Sequence, residues 1–182
     1  MFVNAATDLS EARHDLDRLG AMPESPHMGT SPYPRPMLTV DVAALTGGSV
    51  PHVLLVQRAH PPFAGEWALP GGFVDEGELV AHAAARELAE ETGLKLGSLC
   101  LLGVYDNPGR DPRGWTVSVA YFAPVPAQAP VTGGDDAREA RWFGADTLPK
   151  LAFDHATIIG DALVRWAAEP DRGRDPTAHG QR

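Results

Sequence analysis

A chain of 182 residues is long enough for one hydrophobic core and short for two. Its apolar fraction of 43% and charged fraction of 21% are those of a globular protein, and no apolar run approaches the roughly 18 residues that a membrane span requires. A net charge of −9 without a basic cluster argues against a polymeric nucleic-acid ligand, since counterion release needs a basic surface; a small nucleotide remains open, because a bound metal reverses the local sign of charge.

Residues 1–33 read as an N-terminal extension. A short amphipathic segment, Leu9 to Leu19, is followed by Pro- and Ser-bearing sequence that has the composition of a linker. The first twenty residues carry no apolar signal core and no lipidation motif, so the expectation is a cytoplasmic protein without a membrane anchor. Leu38 to Leu45 and His52 to Gln57 are apolar, β-branched runs joined by a Gly-, Ser- and Pro-bearing link, which predicts a hairpin. A glycine turn, Pro70-Gly71-Gly72, precedes a predicted helix from Ala81 to Thr92, with Gly93 where a left-handed C-terminal cap would sit. Further strands are expected at Leu96 to Tyr105, Trp115 to Ala123 and Ala140 to Phe143, and a last helix at Asp154 to Ala168. Cys100, the single cysteine, allows no internal disulfide; among Leu99, Leu101 and Leu102 it reads as a buried strand residue rather than a nucleophile. Residues 169–182 form a polar tail with a disordered composition. Strands interrupted by one helix and closed by another predict an α/β/α sandwich with a mixed sheet over residues 34–168.

The first predicted helix carries two stripes. Val80, Ala84 and Leu88 form an apolar line, while Glu87, Glu90 and Glu91 fall within a sector of about 100°. Like charges at i, i+3 and i+4 cost an isolated helix a few tenths of a kcal/mol per pair, so something must compensate. A solvated acidic face would explain the stripe alone. Hard divalent cations that bridge carboxylates to substrate phosphates explain it together with its surroundings. Those surroundings are Gly72, then Glu78 after five residues, then after seven more Arg86-Glu87-Leu88-Ala89-Glu90-Glu91-Thr92-Gly93-Leu94. Such a pattern arises by chance on the order of once in a million random chains or less.

These residues resemble the Nudix box, the signature of the Nudix hydrolases, with no departure at a signature position. The resemblance implies the Nudix fold and metal-dependent attack of water on a nucleoside diphosphate linked to another group. It implies Mg²⁺, with Mn²⁺ as the alternative, held by Glu87, Glu90, Glu91 and the Gly72 carbonyl. Arg86 resembles the arginine that orients the glutamates, and Glu78 the supporting acid. Similar enzymes are often homodimers.

The flanks narrow the substrate. PFAGEWALPGGFV (Pro62 to Val74), NPGRDPRGWTVSVAYFAPVP (Asn107 to Pro126) and DDAREARWF with LAFDHATIIGDAL (Asp135 to Leu163) resemble the bacterial ADP-ribose pyrophosphatase branch. That implies ADP-ribose cleaved to AMP and ribose 5-phosphate; an oxidised-nucleotide diphosphatase is the alternative enzyme. The same flanks resemble regulators in which a Nudix-like domain senses nicotinamide nucleotides and a winged helix binds DNA. The residues after Trp166 are too few for that winged helix, and the intact acids favour catalysis. Arg58 has the reach to grip a phosphate, although a surface ion pair explains it equally. Asp111 and Arg113 sit in a Pro/Gly loop, where a turn role competes with substrate contact. Trp67 and His155 read as packing residues, His155 also as a cap. For the general base, Glu90 stands beside Asp136 in the loop Gly133-Gly134-Asp135-Asp136, whose glycines would let it close over substrate. Glu139 is a third candidate.

Overall fold

The structure, a computed structural model, describes residues 33–47, 50–134 and 137–168. The predicted N-terminal extension before Tyr33, Asp135, Asp136 and the polar tail lie outside the described residues. The elements in chain order are strands β1 (Met37–Thr46), β2 (His52–Arg58), β3 (Trp67–Ala68) and β4 (Gly71–Phe73), helix α1 (Val80–Thr92), strands β5 (Cys100–Tyr105), β6 (Thr116–Val125) and β7 (Ala137–Gly144), and helix α2 (His155–Ala168).

Strand β1 organises the sheet. Its residues from Thr39 to Thr46 are all buried, as expected of a central strand covered on both faces. It runs parallel to β6 over ten pairs, Met37 with Thr116 through Thr46 with Val125. The predicted hairpin with β2 exists but is paired only at Leu45 with Val53 and Thr46 with His52. Beyond those pairs the strands separate: β1 takes β4 as its antiparallel neighbour, and β2 takes β7 and β3. Among the described residues the sheet has seven strands, with β3-β2-β1-β6-β5 as its main path.

Alternation along the strands divides the core in two. Val40, Val42, Ala44, Leu54, Val56, Tyr121 and Ala123 point to the face covered by α1, where Ala83, Ala84 and Leu88 meet them. Ala43, Leu45, Val53, Leu55, Ala120 and Phe122 point to the opposite face, against Ile158, Ile159 and Ala162 of α2. Each large side chain so buried contributes roughly 1.5–3 kcal/mol. The layers are helix, mixed sheet, helix, as the sequence predicts. Among the described residues no helix is long and apolar enough to cross a membrane.

Helix α1 ends as expected: Gly93 is left-handed at φ 72° and its N–H donates to the Ala89 carbonyl. Three local expectations need correction. The glycine turn is a strand, because Gly72 and Gly71 pair with Val40 and Asp41 of β1. Strand β5 starts at Cys100 rather than Leu96, and Cys100 is half-buried, since β5 is the edge of the main path. Strand β7 begins three residues before the predicted Ala140, because β2 offers it a longer partner.

Candidate active site

The acidic part of the site is built where β4 meets α1. A Cβ on Gly71 would lie 2.1 Å from the Val40 carbonyl oxygen, and one on Gly72 would lie 2.5 Å from Oε1 of Glu87. These glycines let the backbone of β4 lie directly on β1 and on the Glu87 carboxylate. Arg86 then ties the glutamates together. Its Nε and Nη2 donate to Glu78 at 2.9 Å each, its Nη1 to Glu87 at 2.8 Å and Glu90 at 3.1 Å, and its Nη2 also to the Phe73 carbonyl. The bonds from Arg86 hold the Glu78 carboxyl down to about 2, and the same partners raise the guanidinium above its ordinary value. Burial pushes Glu87 up, against the pull of Arg86. Glu91 is pushed up to about 8, first by burial and then by Glu87 and Asp41, although its Oε2 accepts the Gly71 N–H at 2.9 Å. Glu90 differs: its side chain is 59% exposed.

Cationic and aromatic side chains line a cavity of about 360 Å³ together with Glu87 and Glu91. The Arg58 guanidinium lies 4.8 Å from the centre of the Phe153 ring, and that of Arg113 lies 5.6 Å from it and 5.0 Å from the Phe73 ring. Burial and the neighbouring Arg113 lower the pKa of Arg58. Its Nε donates to the Pro62 carbonyl at 2.7 Å. Phe153 is left-handed at φ 54°, as is Phe63 at 61°, and the two rings meet edge to face at 4.9 Å. Bulky residues in that region are strained by about 1–3 kcal/mol, which the surrounding contacts must offset.

The sequence reading places Arg58, Gly72, Glu87, Glu91, Asp111 and Arg113 among its candidates, and all of them line this cavity. Asp111 is 4% exposed, and its carboxylate is engaged by the Arg113 backbone N–H at 2.9 Å and by the Arg113 guanidinium at 2.7–3.1 Å. In lining the cavity it fixes Arg113. Glu78 and Arg86 stand behind the acids. Glu139 pairs with Arg141 on β7, away from the cavity lining. Trp67 packs against Phe143 with ring centres 4.6 Å apart, a core role as expected. Asp136 lies outside the described residues, but the glycines before it do not: Gly134 donates to the Glu91 carbonyl at 3.2 Å, and a Cβ there would lie 2.0 Å from the Glu90 carbonyl oxygen. Gly134 is thus needed for close docking on the end of α1.

Sequence reasoning missed a buried polar network in the wall of the cavity, to which Asp41, Arg110 and His155 belong. Asp41 accepts from Ser118 at 2.5 Å and lies 3.2 Å from Nε2 of His155 and 3.5 Å from Arg110. Burial opposes its charge, but His155, Ser118 and Arg110 outweigh that and keep its carboxyl below the ordinary value. Arg110, its side chain 4% exposed, is held by Asp154 at 2.7 and 2.9 Å. Nδ1 of His155 accepts the Leu69 N–H at 2.8 Å, so the ring carries its proton on Nε2. The signal available was Asp41 itself, a lone charge inside the apolar run Leu38 to Leu45.

The acids suit a divalent cation in their chemistry. Two half-buried carboxylates are both pushed up by burial, Glu87 further by Glu90 and Glu78 and Glu91 further by Glu87 and Asp41, and a hard cation would reverse that penalty. Among the described residues, no three His, Cys, Asp or Glu side chains converge on one point.

A family profile for the NUDIX domain matches residues 35–162. The chain is 50% identical over 114 residues to an ADP-ribose pyrophosphatase of Methanocaldococcus jannaschii, a match covering 63% of this chain and 66% of that one. It is 37% identical over 141 residues to an ADPR responsive transcriptional repressor, NtrR, of Acinetobacter baylyi, covering 74% of this chain and 56% of the repressor. The chain therefore spans less than two thirds of the length of each of these curated relatives. The NUDIX domain of Shewanella oneidensis NrtR, solved in complex with ADP ribose, superposes with a TM-score of 0.71 at 35% identity, covering 77% of this chain and 94% of that domain. With its box intact, its helix, sheet and helix layers in place and a family match over most of its length, the chain belongs to the Nudix family.

Proposed function

We propose that this protein hydrolyses ADP-ribose to AMP and ribose 5-phosphate in the cytoplasm, with Mg²⁺ or Mn²⁺ as cofactor. One observation carries the reading: a single cavity is lined by two acids, Glu87 and Glu91, with the Gly72 backbone, and by two guanidiniums over aromatic rings, Arg58 and Arg113. A diphosphate is the ligand that needs both, cations for its oxygens and a metal site for its bridge. The similarity to the M. jannaschii pyrophosphatase and to the NrtR domain with ADP ribose supports the choice of ADP-ribose.

Glu87, Glu91 and the Gly72 carbonyl would hold the cation, with Glu90 on the solvent side. When bound, it would supply charge neutralisation on the diphosphate and an activated water. The chain's own residues supply the rest. Arg86 spends its donors on Glu78, Glu87 and Glu90, so the carboxylates meet the cation already oriented. Arg113, braced by Asp111, and Arg58, which would exchange the Pro62 carbonyl for a phosphate oxygen, grip the diphosphate. Glu90 or Asp136 takes the proton from the attacking water, a contribution of roughly 10² to 10⁴ in rate.

Substrate binding at both ends of the diphosphate positions the linkage, whereas a nucleoside triphosphate offers one such end. The expected outcome of a substrate panel is a kcat/KM for ADP-ribose at least about tenfold above that for 8-oxo-dGTP and diadenosine polyphosphates, ~1.4 kcal/mol in transition-state binding. AMP and ribose 5-phosphate should form in equal amounts. Preference for the triphosphate with release of pyrophosphate would replace this reading by the nucleotide-pool one. The similarity to the NtrR repressor favours a second reading, a nicotinamide-nucleotide sensor, identified by stabilisation on ADP-ribose without turnover.

A further inference from the structure

The segment Leu69 to Gly72 delivers two groups to the acids that line the cavity, the Gly71 N–H to Glu91 and the backbone of Gly72 against Glu87. It is fixed on one side by ladder pairing of Gly71 with Asp41 and of Gly72 with Val40, and by the Val42 N–H on the Pro70 carbonyl at 2.8 Å. On the other side it is fixed by one side chain. His155, 4% exposed at the first position of α2, accepts the Leu69 N–H at Nδ1 and presents Nε2 to the Asp41 carboxylate. Asp41 thus closes a loop: its backbone pairs with Gly71, and its side chain returns through the imidazole to Leu69.

We propose that His155 is a positioning residue of the metal site, acting through the Leu69 amide to set where Glu91 and the Gly72 carbonyl lie. This rests on the metal-dependent reading given above. Any helix anchor would contribute to stability, but few would control the segment that carries these two groups. The imidazole does so because its acceptor and donor sit on opposite sides of one rigid ring, and the ring is itself set by the buried carboxylate. Glutamine, with an amide oxygen and nitrogen at comparable reach, can satisfy both partners; asparagine, one carbon shorter, cannot reach both.

The test is Mn²⁺ binding without substrate, followed by electron paramagnetic resonance on the full chain, beside thermal melting. His155→Asn should weaken Mn²⁺ at least about fivefold, and His155→Gln should stay within about twofold of the parent. Tyr105→Phe is the control, since it removes a different α2 anchor, the 2.7 Å bond from the Tyr105 hydroxyl to Asp161. It should lower Tm and leave Mn²⁺ affinity unchanged. Should His155→Asn fail to fold, Ser118→Ala, which loosens Asp41, should weaken Mn²⁺ by about two- to threefold, and an unchanged affinity there overturns the proposal. It is equally overturned if His155→Asn binds Mn²⁺ as tightly as the parent, or if Tyr105→Phe weakens binding as much. A parent chain that binds no Mn²⁺ overturns the metal reading and this inference with it.

Discussion

Replacing Glu91 by glutamine removes a charge that the folded, metal-free protein resists. The carboxyl ionises near its ordinary value of 4.5 in the unfolded chain and at about 8 in the folded one, where burial and the neighbouring Glu87 and Asp41 oppose its charge. Between those values the folded state holds a proton that the unfolded chain has released. Stability from this group is therefore fully present below pH 4.5 and is lost as pH rises through about 8. At ~1.4 kcal/mol per pH unit the ceiling is ~5 kcal/mol. Relaxation of the cavity and protonation of Glu87 reduce it, to about 2–3 kcal/mol. Glutamine keeps an oxygen for the Gly71 N–H and cannot ionise. In EDTA, Glu91→Gln should melt with the parent at pH 5 and about 5–10 °C above it at pH 9, given ~2–4 °C per kcal/mol for a domain of this size. Excess Mg²⁺ should raise the parent's Tm at pH 9 and leave the variant's nearly unchanged, while turnover of the variant falls by orders of magnitude. A variant that melts at or below the parent at pH 9 in EDTA would refute the account of Glu91 as an uncompensated carboxylate.

Three further outcomes are expected. Glu87→Gln should lose turnover by orders of magnitude with Tm nearly intact, because the apolar stripe of α1 is untouched; retained activity in both the Glu87 and Glu91 variants would remove the metal assignment. Gly72→Ala places a methyl group 2.5 Å from Glu87 Oε1 and should cost at least about tenfold in kcat/KM, read against circular dichroism to confirm folding. Asp136→Asn should lower kcat with little change in Mg²⁺ affinity, and Asp135→Asn should do less; if Glu90→Gln instead abolishes the proton-dependent acidic limb of the pH profile while both loop variants keep it, the base belongs on α1.

How much of this was legible in advance depends on sequence distance. Helix α1 was readable because its signals are local: alanine and leucine propensity, the apolar line through Ala84 and Leu88, and Gly93 as a left-handed cap. The residues that carry the Nudix box were readable for the same reason, as fixed spacings within one short stretch. The sandwich followed from the order of elements. Gly71 and Gly72 were misread as a turn, since glycine composition alone does not distinguish a bend from a strand pressed against another backbone.

The acidic stripe itself marks the boundary. Sequence by itself determined that Glu87, Glu90 and Glu91 share one side of a helix, because 3.6 residues per turn is a property of the local backbone. Only the tertiary structure decided that Glu91 is pushed to about 8 while Glu90 lies in solvent, because burial depends on β4 closing over one end of the stripe. The pairing of Asp41 with His155, and of β1 with β6 along ten residues, was likewise beyond any local signal. Such contacts join residues far apart in the chain, whose energy of association appears only once the two layers have packed.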